Sequence, residues 1–515
     1  MGVIKTLILS WLGINPALPT SIQINEMLDH KATVLKNRLW YRGDPSELDQ
    51  FFKATAQDAV SQARFWAAVP SADNRVRKLH SGIPGEIVDK LAGIVVADMD
   101  AIEVNPPDEE AVTDGVKGPV INPDLERWEE IAKDNKFAEE LFEEAIKDTL
   151  ITGDGAFKIT IDTEVSKCPI IEFVSGSDVE FSYKRGRLQE VLFSEYHTIE
   201  KKTFRKEEAY GKGYIKYRLY DKDNKPLDWA EASELKQDDI AFAGDFIMAI
   251  PVMFFKSPKF RHRGQAIYDR KTDNFDSLDE VLSQWMDAIR AGRVKNYIPE
   301  DLLPKDPNTG QVLRGNPFDN QFIATGGSLK EGVADKIEQV QADINFNAYS
   351  ESYAKFLDLC LQGIISPSTL GIDLKKLDNA EAQREKEKTT LYTRGKLVDV
   401  LTETIPLLVS TVLKVEDNLN EKAPGEYDVS VSFGEYASPD FGTVVETVGK
   451  AKSLGIMSVE KAIDELYGDT MTDEEKAEEV ERIKGAYSTT EPAVNDDADD
   501  NEDDEEKDEV DEKEI

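Results

Sequence analysis

The chain has 515 residues and a formal net charge of −39, long enough for two to four domain-sized units. Residues 491–515 carry 15 Asp/Glu and two Lys, leaving 86 acidic against 60 basic residues before them. The body is thus acidic in its own right, which argues against general attraction to nucleic acid, because that attraction rests on neutralising phosphates.

Cys168 and Cys360 lie far apart in sequence. They suggest no disulfide framework or metal knuckle and fit a reducing cytoplasm. At the N-terminus, MGVIKTLILSWL formally matches a Gly-x-x-x-Ser/Thr acylation pattern. Its Val3, Ile4, Leu7, Ile8, Trp11 and Leu12 recur at helical spacing, however, and read as an amphipathic docking helix. No run approaches the ~20 apolar residues of a membrane span, so a soluble protein with no membrane partner is expected.

Residues 20–150 read as mostly helical. Ile24, Met27, Leu28 and Leu35 begin one stripe, and Ile87, Val88, Leu91, Ile94 and Val95 form a second. Trp128, Ile131, Phe137, Leu141 and Ile146 make a third, ending near Thr152-Gly153-Asp154-Gly155. The period then changes to two. Residues 157–161, 179–183, 191–193 and 214–220 read as strands of an antiparallel β-rich insert over about 155–255. Lys184-Arg185-Gly186-Arg187 and Asp221-Lys222-Asp223-Asn224 have the chemistry of hairpin turns.

Helix returns at Asp273 and stops at Gly292. Phe275, Leu278, Val281, Leu282, Trp285, Met286 and Ile289 form its apolar face, and Asp276, Asp279, Glu280 and Asp287 occupy another. The following stretch, rich in Pro, Gly and Asn, holds Phe318, Phe322, Ile323 and Ile337. It is too apolar for a linker and reads as a small mixed α/β unit. A matching helix follows from Phe346 to Ile364. Two helices of roughly 30 Å at 1.5 Å per residue thus flank a compact insertion, a stalk with a knob at its far end.

The pattern breaks at Ser366-Pro367-Ser368. It passes through a loop carrying Lys375 and Lys376, and restarts at Asn379 as a long charged helix. Glu381 with Arg384 and Glu385 with Lys388 support that helix, and Pro406 should kink it. Residues 429–433 form one more strand. Two short helices open at Ser458 and at the capping box Thr472-Asp473-Glu474-Glu475, and the acidic C-terminal segment reads as disordered.

Motifs for catalysis are missing. There is no Gly-x-x-x-x-Gly-Lys-Ser/Thr, and Tyr210-Gly211-Lys212-Gly213-Tyr214 sits among strands and opens no helix. His30, His80, His197 and His262 have no metal spacing, and the Asp221 segment lacks the Gly and Glu of a calcium loop. No enzyme, cofactor or metal is expected. A stalk with one apolar stripe per helix suits side-by-side packing into a closed ring. Such a ring would line a channel with acidic walls and one loop per subunit, over Ile365–Asp378. On the residues alone, an acidic face kept for solubility and a plain solvated Lys375-Lys376 loop stay equally open.

Several stretches resemble the portal proteins of tailed double-stranded DNA bacteriophages, of the type found in long-tailed phages of Gram-positive hosts. They are NRLWYRGDPSELDQFF (37–52), RVRKLHSGIPGEIVDKLAGIV (75–95) and FDSLDEVLSQWMDAIRAGRVKNYIPEDLL (275–303), with CLQGIISPSTLGID through AEAQREKEKTTLYTR (360–394). They fall in the family's order and cover most of residues 20–450. The resemblance implies an α+β, mainly helical subunit in a ring of about a dozen at one capsid vertex. It implies an N-terminal arm (1–19), a wing (20–269), stem helices (270–292 and 345–364) and a clip (293–344). A tunnel loop (365–380), a kinked wing helix (381–415), a strand and helical crown (416–490) and the acidic tail (491–515) complete it. Asp276, Asp279, Glu280 and Asp287 would line the channel, and Lys375, Lys376, Ser366 and Thr369 would mark the tunnel loop. Phe318, Phe322 and Ile323 would serve clip docking. The implied partners are further copies of the chain, the terminase large subunit, a head-completion or adaptor protein, scaffold, the major capsid protein and passing double-stranded DNA. The rival readings are an acidic, non-channel head-assembly protein and, last, a carboxylate-dependent metal hydrolase.

Overall fold

The structure is a computed structural model that describes residues 26–56, 62–69, 76–105, 122–299, 307, 309, 321–325, 338–341, 343–372, 380–434, 441–454, 456–467 and 473–488. The expected N-terminal docking helix, Phe318, Lys375, Lys376, Thr472 of the capping box and the acidic tail lie outside the described residues. The chain divides into two units. One comprises Met1–Lys376 with Gln383–Tyr436, the other Leu377–Ala382 with Ala437–Ile515.

The first unit opens on helices α1 (Glu26–Arg42), α2 (Pro45–Thr55) and α3 (Ile83–Ala97). Asp44 starts α2 by accepting hydrogen bonds from the amides of Ser46 (2.7 Å) and Glu47 (3.2 Å), with Pro45 at the first helical position. The stripe Ile87, Val88, Leu91 and Val95 of α3 is fully buried, as its period requires. The expectation of continuous helix fails just after it. Met99–Val104 forms strand β1. Helices α4 (Pro123–Asp134) and α5 (Phe142–Thr152) follow, separated by a π-helical turn at Phe137–Leu141 that stacks Phe137 on Phe142 in the core.

The β-rich insert is antiparallel throughout. Strands β2 (Gly155–Thr160) and β3 (Ile170–Ser175) lead into β4 (Val179–Lys184), β5 (Arg187–Ile199), β6 (Lys202–Gly211), β7 (Tyr214–Asp221), β8 (Pro226–Leu227), β9 (Ile240–Ala241) and β10 (Ala249–Val252). One sheet has the order β10-β2-β3, the other β4-β5-β6-β7-β8 with β9 against β7. Both anticipated turns are present. Arg185 and Gly186 take left-handed φ of 53° and 77°, as a two-residue hairpin turn demands. In the other, the Asp221 carboxylate accepts hydrogen bonds from the amides of Asp223 and Lys225, both at 2.8 Å.

Helices α6 (Thr272–Ala291) and α7 (Phe346–Leu361) form the stalk. They run antiparallel. Lys271 and Asn274, at the start of α6, donate to the carbonyl of Leu359 at 2.7 and 3.1 Å, while Trp285 near its end meets the rings of Phe346, Tyr349 and Tyr353. Between them lies a small sheet of β11 (Lys295–Pro299), β12 (Gln321–Thr325) and β13 (Glu338–Val340). Its middle strand β11 is parallel to β12 and antiparallel to β13. Helix α8 (Ala380–Leu419) is continuous through Pro406 and carries Leu397, Leu401, Ile405, Leu408, Val412 and Leu413 into the core. Strand β14 (Val429–Phe433) then pairs antiparallel with β1. The second unit contains α9 (Phe441–Ser453), α10 (Val459–Tyr467) and α11 (Asp473–Ser488), with the Ser458 hydroxyl capping α10 through the Lys461 amide at 3.2 Å.

Candidate functional site

The candidate site is the stalk with the loop at its root. Helix α6 buries Phe275 and Leu278 in the core, and the acidic residues beside them go in as well. Asp276 and Asp279 are only 7 % and 0 % exposed. Asp276 accepts hydrogen bonds from the amides of Phe65 (2.8 Å) and Trp66 (3.1 Å). Asp279 accepts from the Trp66 indole (3.1 Å) and the Ser81 amide (2.8 Å), and lies 2.7 Å from His80 Nδ1. One turn on, the Ser283 hydroxyl accepts from the Leu79 amide at 2.9 Å.

These contacts correct the expectation that Asp276 and Asp279 line a channel. Segments 65–66 and 79–81 have no regular partner strand, and a buried amide without an acceptor is costly. The acidic residues of α6 supply the acceptors. Burial pushes the Asp276 carboxyl above its usual range, against the pull of the two amides. Of the four predicted wall residues, only Glu280 and Asp287 keep solvent exposure, and Glu280 accepts from the Gln284 amide at 2.9 Å.

The loop at the root is anchored through α8. The Ser366 amide donates to the Thr390 hydroxyl (2.9 Å), and the Thr369 and Thr390 hydroxyls lie 2.7 Å apart. The Thr393 hydroxyl donates to the Ile364 carbonyl at 2.6 Å. Ser366 is therefore 2 % exposed and Thr369 half-buried. This corrects their assignment to a projecting loop: they form its foot. Gly371 and Ile372 are exposed.

At the other end, Phe322 and Ile323 stand in β12, in register with Asn296 and Tyr297 of β11. The helices beneath leave apolar side chains in water. Phe346 is 59 % and Ile289 44 % exposed, and Met286 and Ile344 are exposed too.

Three arginine clamps, which sequence reasoning missed, hold the surroundings. Arg263 grips the buried Asp154 through Nε (2.9 Å) and Nη2 (2.8 Å), while the Gly264 amide donates to the same carboxylate at 2.6 Å. Gly153 and Gly264 touch so closely there that a Cβ on Gly264 would stand 1.9 Å from the Gly153 carbonyl oxygen. Arg127 binds Glu416 and Asp417 at the end of α8, at 2.7 and 2.8 Å, and the Tyr427 hydroxyl donates to Asp417 at 2.6 Å. Arg394 binds Asp98 and the carbonyl of Gly434. The clamps join residues up to 296 positions apart. The only local hints were Thr152-Gly153-Asp154-Gly155 and the cation-rich run Lys256–Arg263.

No protein-family profile matches the chain, and no curated protein matches it in sequence. Similar solved structures include a chain from the neck of a native GTA particle computed with C12 symmetry, at 12 % identity and a TM-score of 0.35. That likeness covers 77 % of this chain and 89 % of the other. A chain from the neck of an empty GTA particle computed with C6 symmetry has the same identity and TM-score, covering 75 % and 90 %. At that TM-score, neither likeness bears on what this chain does. Among the described residues, no helix is long and apolar enough to cross a membrane.

Proposed function

We propose that the chain is a portal-type subunit. It assembles into a ring at one capsid vertex, passes double-stranded DNA through the ring's axis, and docks the terminase large subunit and the head-completion adaptor through the tip of its stalk. Catalysis has no part in this reading. The observation that carries it is the stalk: α6 and α7 antiparallel, a three-stranded sheet between them, and a loop footed on α8 directly after. That is the order of parts implied by the sequence resemblance. The apolar side chains Met286, Ile289 and Phe346 lie where a neighbouring stalk would cover them. Glu280 and Asp287 give each stalk an acidic, solvent-facing edge on which a polyanion slides without a deep binding well.

Negative-stain electron microscopy of the purified protein, with mass by light scattering, tests the reading. Closed rings with a central hole are expected. A protein that stays monomeric when concentrated, or forms open polymers, would favour a non-channel head-assembly role.

A further inference from the structure

The acidic body carries a concentrated basic patch. The loop 256–264 lies along β4, with the Arg263 guanidinium over the Phe181 ring at 5.4 Å and His262 stacked on Tyr183 at 4.3 Å. His262 takes a left-handed φ of 60°. That backbone reversal turns Arg263 inward onto Asp154 and leaves Arg261 outside. Beyond Tyr183 comes the β4–β5 turn, where Lys184 pairs with Arg187 across the ladder and Arg185 sits at the tip. Lys256 bridges to Gly264 on the same loop.

Lys184, Arg185, Arg187, Lys256 and Arg261 are all exposed, and none makes an ion pair with a carboxylate among the described residues. The segments 183–189 and 256–264 contain no acidic residue at all. Glu180, further back on β4, is the exposed carboxylate of that strand. The positive field reaches inward. His30, packed edge-on against Phe260, is held at about 3 first by burial and then by Arg263, Lys31 and Lys259.

We infer that this patch, the β4–β5 turn with the Lys256–Gly264 loop stacked beside it, is a docking surface for the phosphate backbone of double-stranded DNA. Three features favour phosphates over an acidic protein segment. Three of the five cations are arginines, whose planar forks match phosphate oxygens. The cations stand on a stiff hairpin and a loop fixed by stacking and by the Asp154 clamp, so little ordering is needed on contact. The chain as a whole is strongly acidic, at −39, so contact here fixes position rather than giving general adhesion. The surface belongs to each protomer. It depends on neither ring closure nor the channel reading, and either can fail without the other.

The test is fluorescence anisotropy of a labelled 30-base-pair duplex, a length set to about three helical turns, titrated with the full-length protein over a range of salt. The triple variant Arg185→Glu, Arg187→Glu, Arg261→Glu is compared with a control triple, Lys201→Glu, Lys222→Glu, Lys225→Glu, which changes charge equally at other exposed turns. The patch triple is expected to weaken binding at low salt more than ~10-fold beyond the control and to lower the salt slope by about 2–3, near 0.9 for each lost phosphate contact. Equal weakening in both triples, or no binding of duplex by the unmodified protein, would overturn the inference. So would a patch that binds a synthetic peptide of residues 491–515 and not the duplex, which would make it a site for acidic protein segments. Thermal unfolding verifies that both triples fold. If the glutamate triple does not, the corresponding glutamine triple is read against the same criteria.

Discussion

The two halves of α6 belong to one helix yet live in different surroundings. From Phe275 to Ser283 the helix is embedded along one face, where Asp276 and Asp279 serve as acceptors for Phe65, Trp66, His80 and Ser81. From Gln284 to Ala291 it is more open, with Met286 and Ile289 exposed and Trp285 against the rings of Phe346, Tyr349 and Tyr353. The first half is covered by its own chain, while the second leaves Met286 and Ile289 exposed. An acidic residue on a helix thus does opposite work at the two ends. At the root it replaces missing backbone partners; toward the tip it keeps an edge hydrated.

The comparison is broken most severely by Asp279→Ala. It strands the Trp66 indole, the Ser81 amide and His80 Nδ1 together, and each buried unsatisfied donor costs about 1–3 kcal/mol. A loss of roughly 3–5 kcal/mol in chemical denaturation is expected; a loss below about 1 kcal/mol would show that the root is not held this way. At the more open half, the pair Met286→Asp with Ile289→Asp should leave monomer stability within about 0.5 kcal/mol while abolishing higher-mass species in light scattering. Unchanged assembly by that pair would remove the tip from the subunit contact.

Acid sharpens the contrast through His30 of α1 rather than through the stalk. The His30 pKa is about 3 when folded, against a reference near 6.5, so the unfolded chain binds more protons between those values. The contribution is intact above pH ~6.5 and declines as pH falls toward 3. His30→Gln should flatten that part of the stability profile, and an unaltered profile would rule the site out as its source. The cysteines give a gentler readout of the embedded half. Burial, with the charge of Asp279, pushes the Cys360 thiol up to about 12, so it should resist maleimide until the root of the stalk opens. The half-buried Cys168 should react first, although burial and the carboxylates of Asp134 and Glu130 also raise its pKa. Reaction of Cys360 at the Cys168 rate would mean the root opens freely. The smallest effect belongs to Glu280→Gln with Asp287→Asn: little change in stability, within about 0.5 kcal/mol, and a change confined to DNA passage in a packaging assay. A fold loss as large as that of Asp279→Ala would make their exposure irrelevant.

What could be read from the residues follows the range over which each signal acts. The stop at Gly292, the strand Val429–Phe433 and the turn at Arg185-Gly186 depend on neighbours a few positions away, and all are present. The polar face of α6 was legible as a face, but not what covers it. Periodicity is blind to segments 65–66 and 79–81 coming in from about 200 positions away. The break at Ser366-Pro367-Ser368 was legible, while its attachment to Thr390 was not. Strand β1 escaped because Met99–Val104 follows α3 with no Gly or Pro between, and its partner lies in β14.

Besides its buried apolar stripe, helix α8 is tied by polar contacts at Thr390 and Thr393 beneath the loop, at Arg394 on Asp98, and at Glu416 with Asp417 on Arg127. Thr390 and Asp417 are separated along the helix by about 40 Å at 1.5 Å per residue. Pro406, which donates no backbone hydrogen bond, interrupts the ladder between those two ends. The foot of the loop and the residues that Arg127 ties together thus stand on one helix, on either side of its one interior proline.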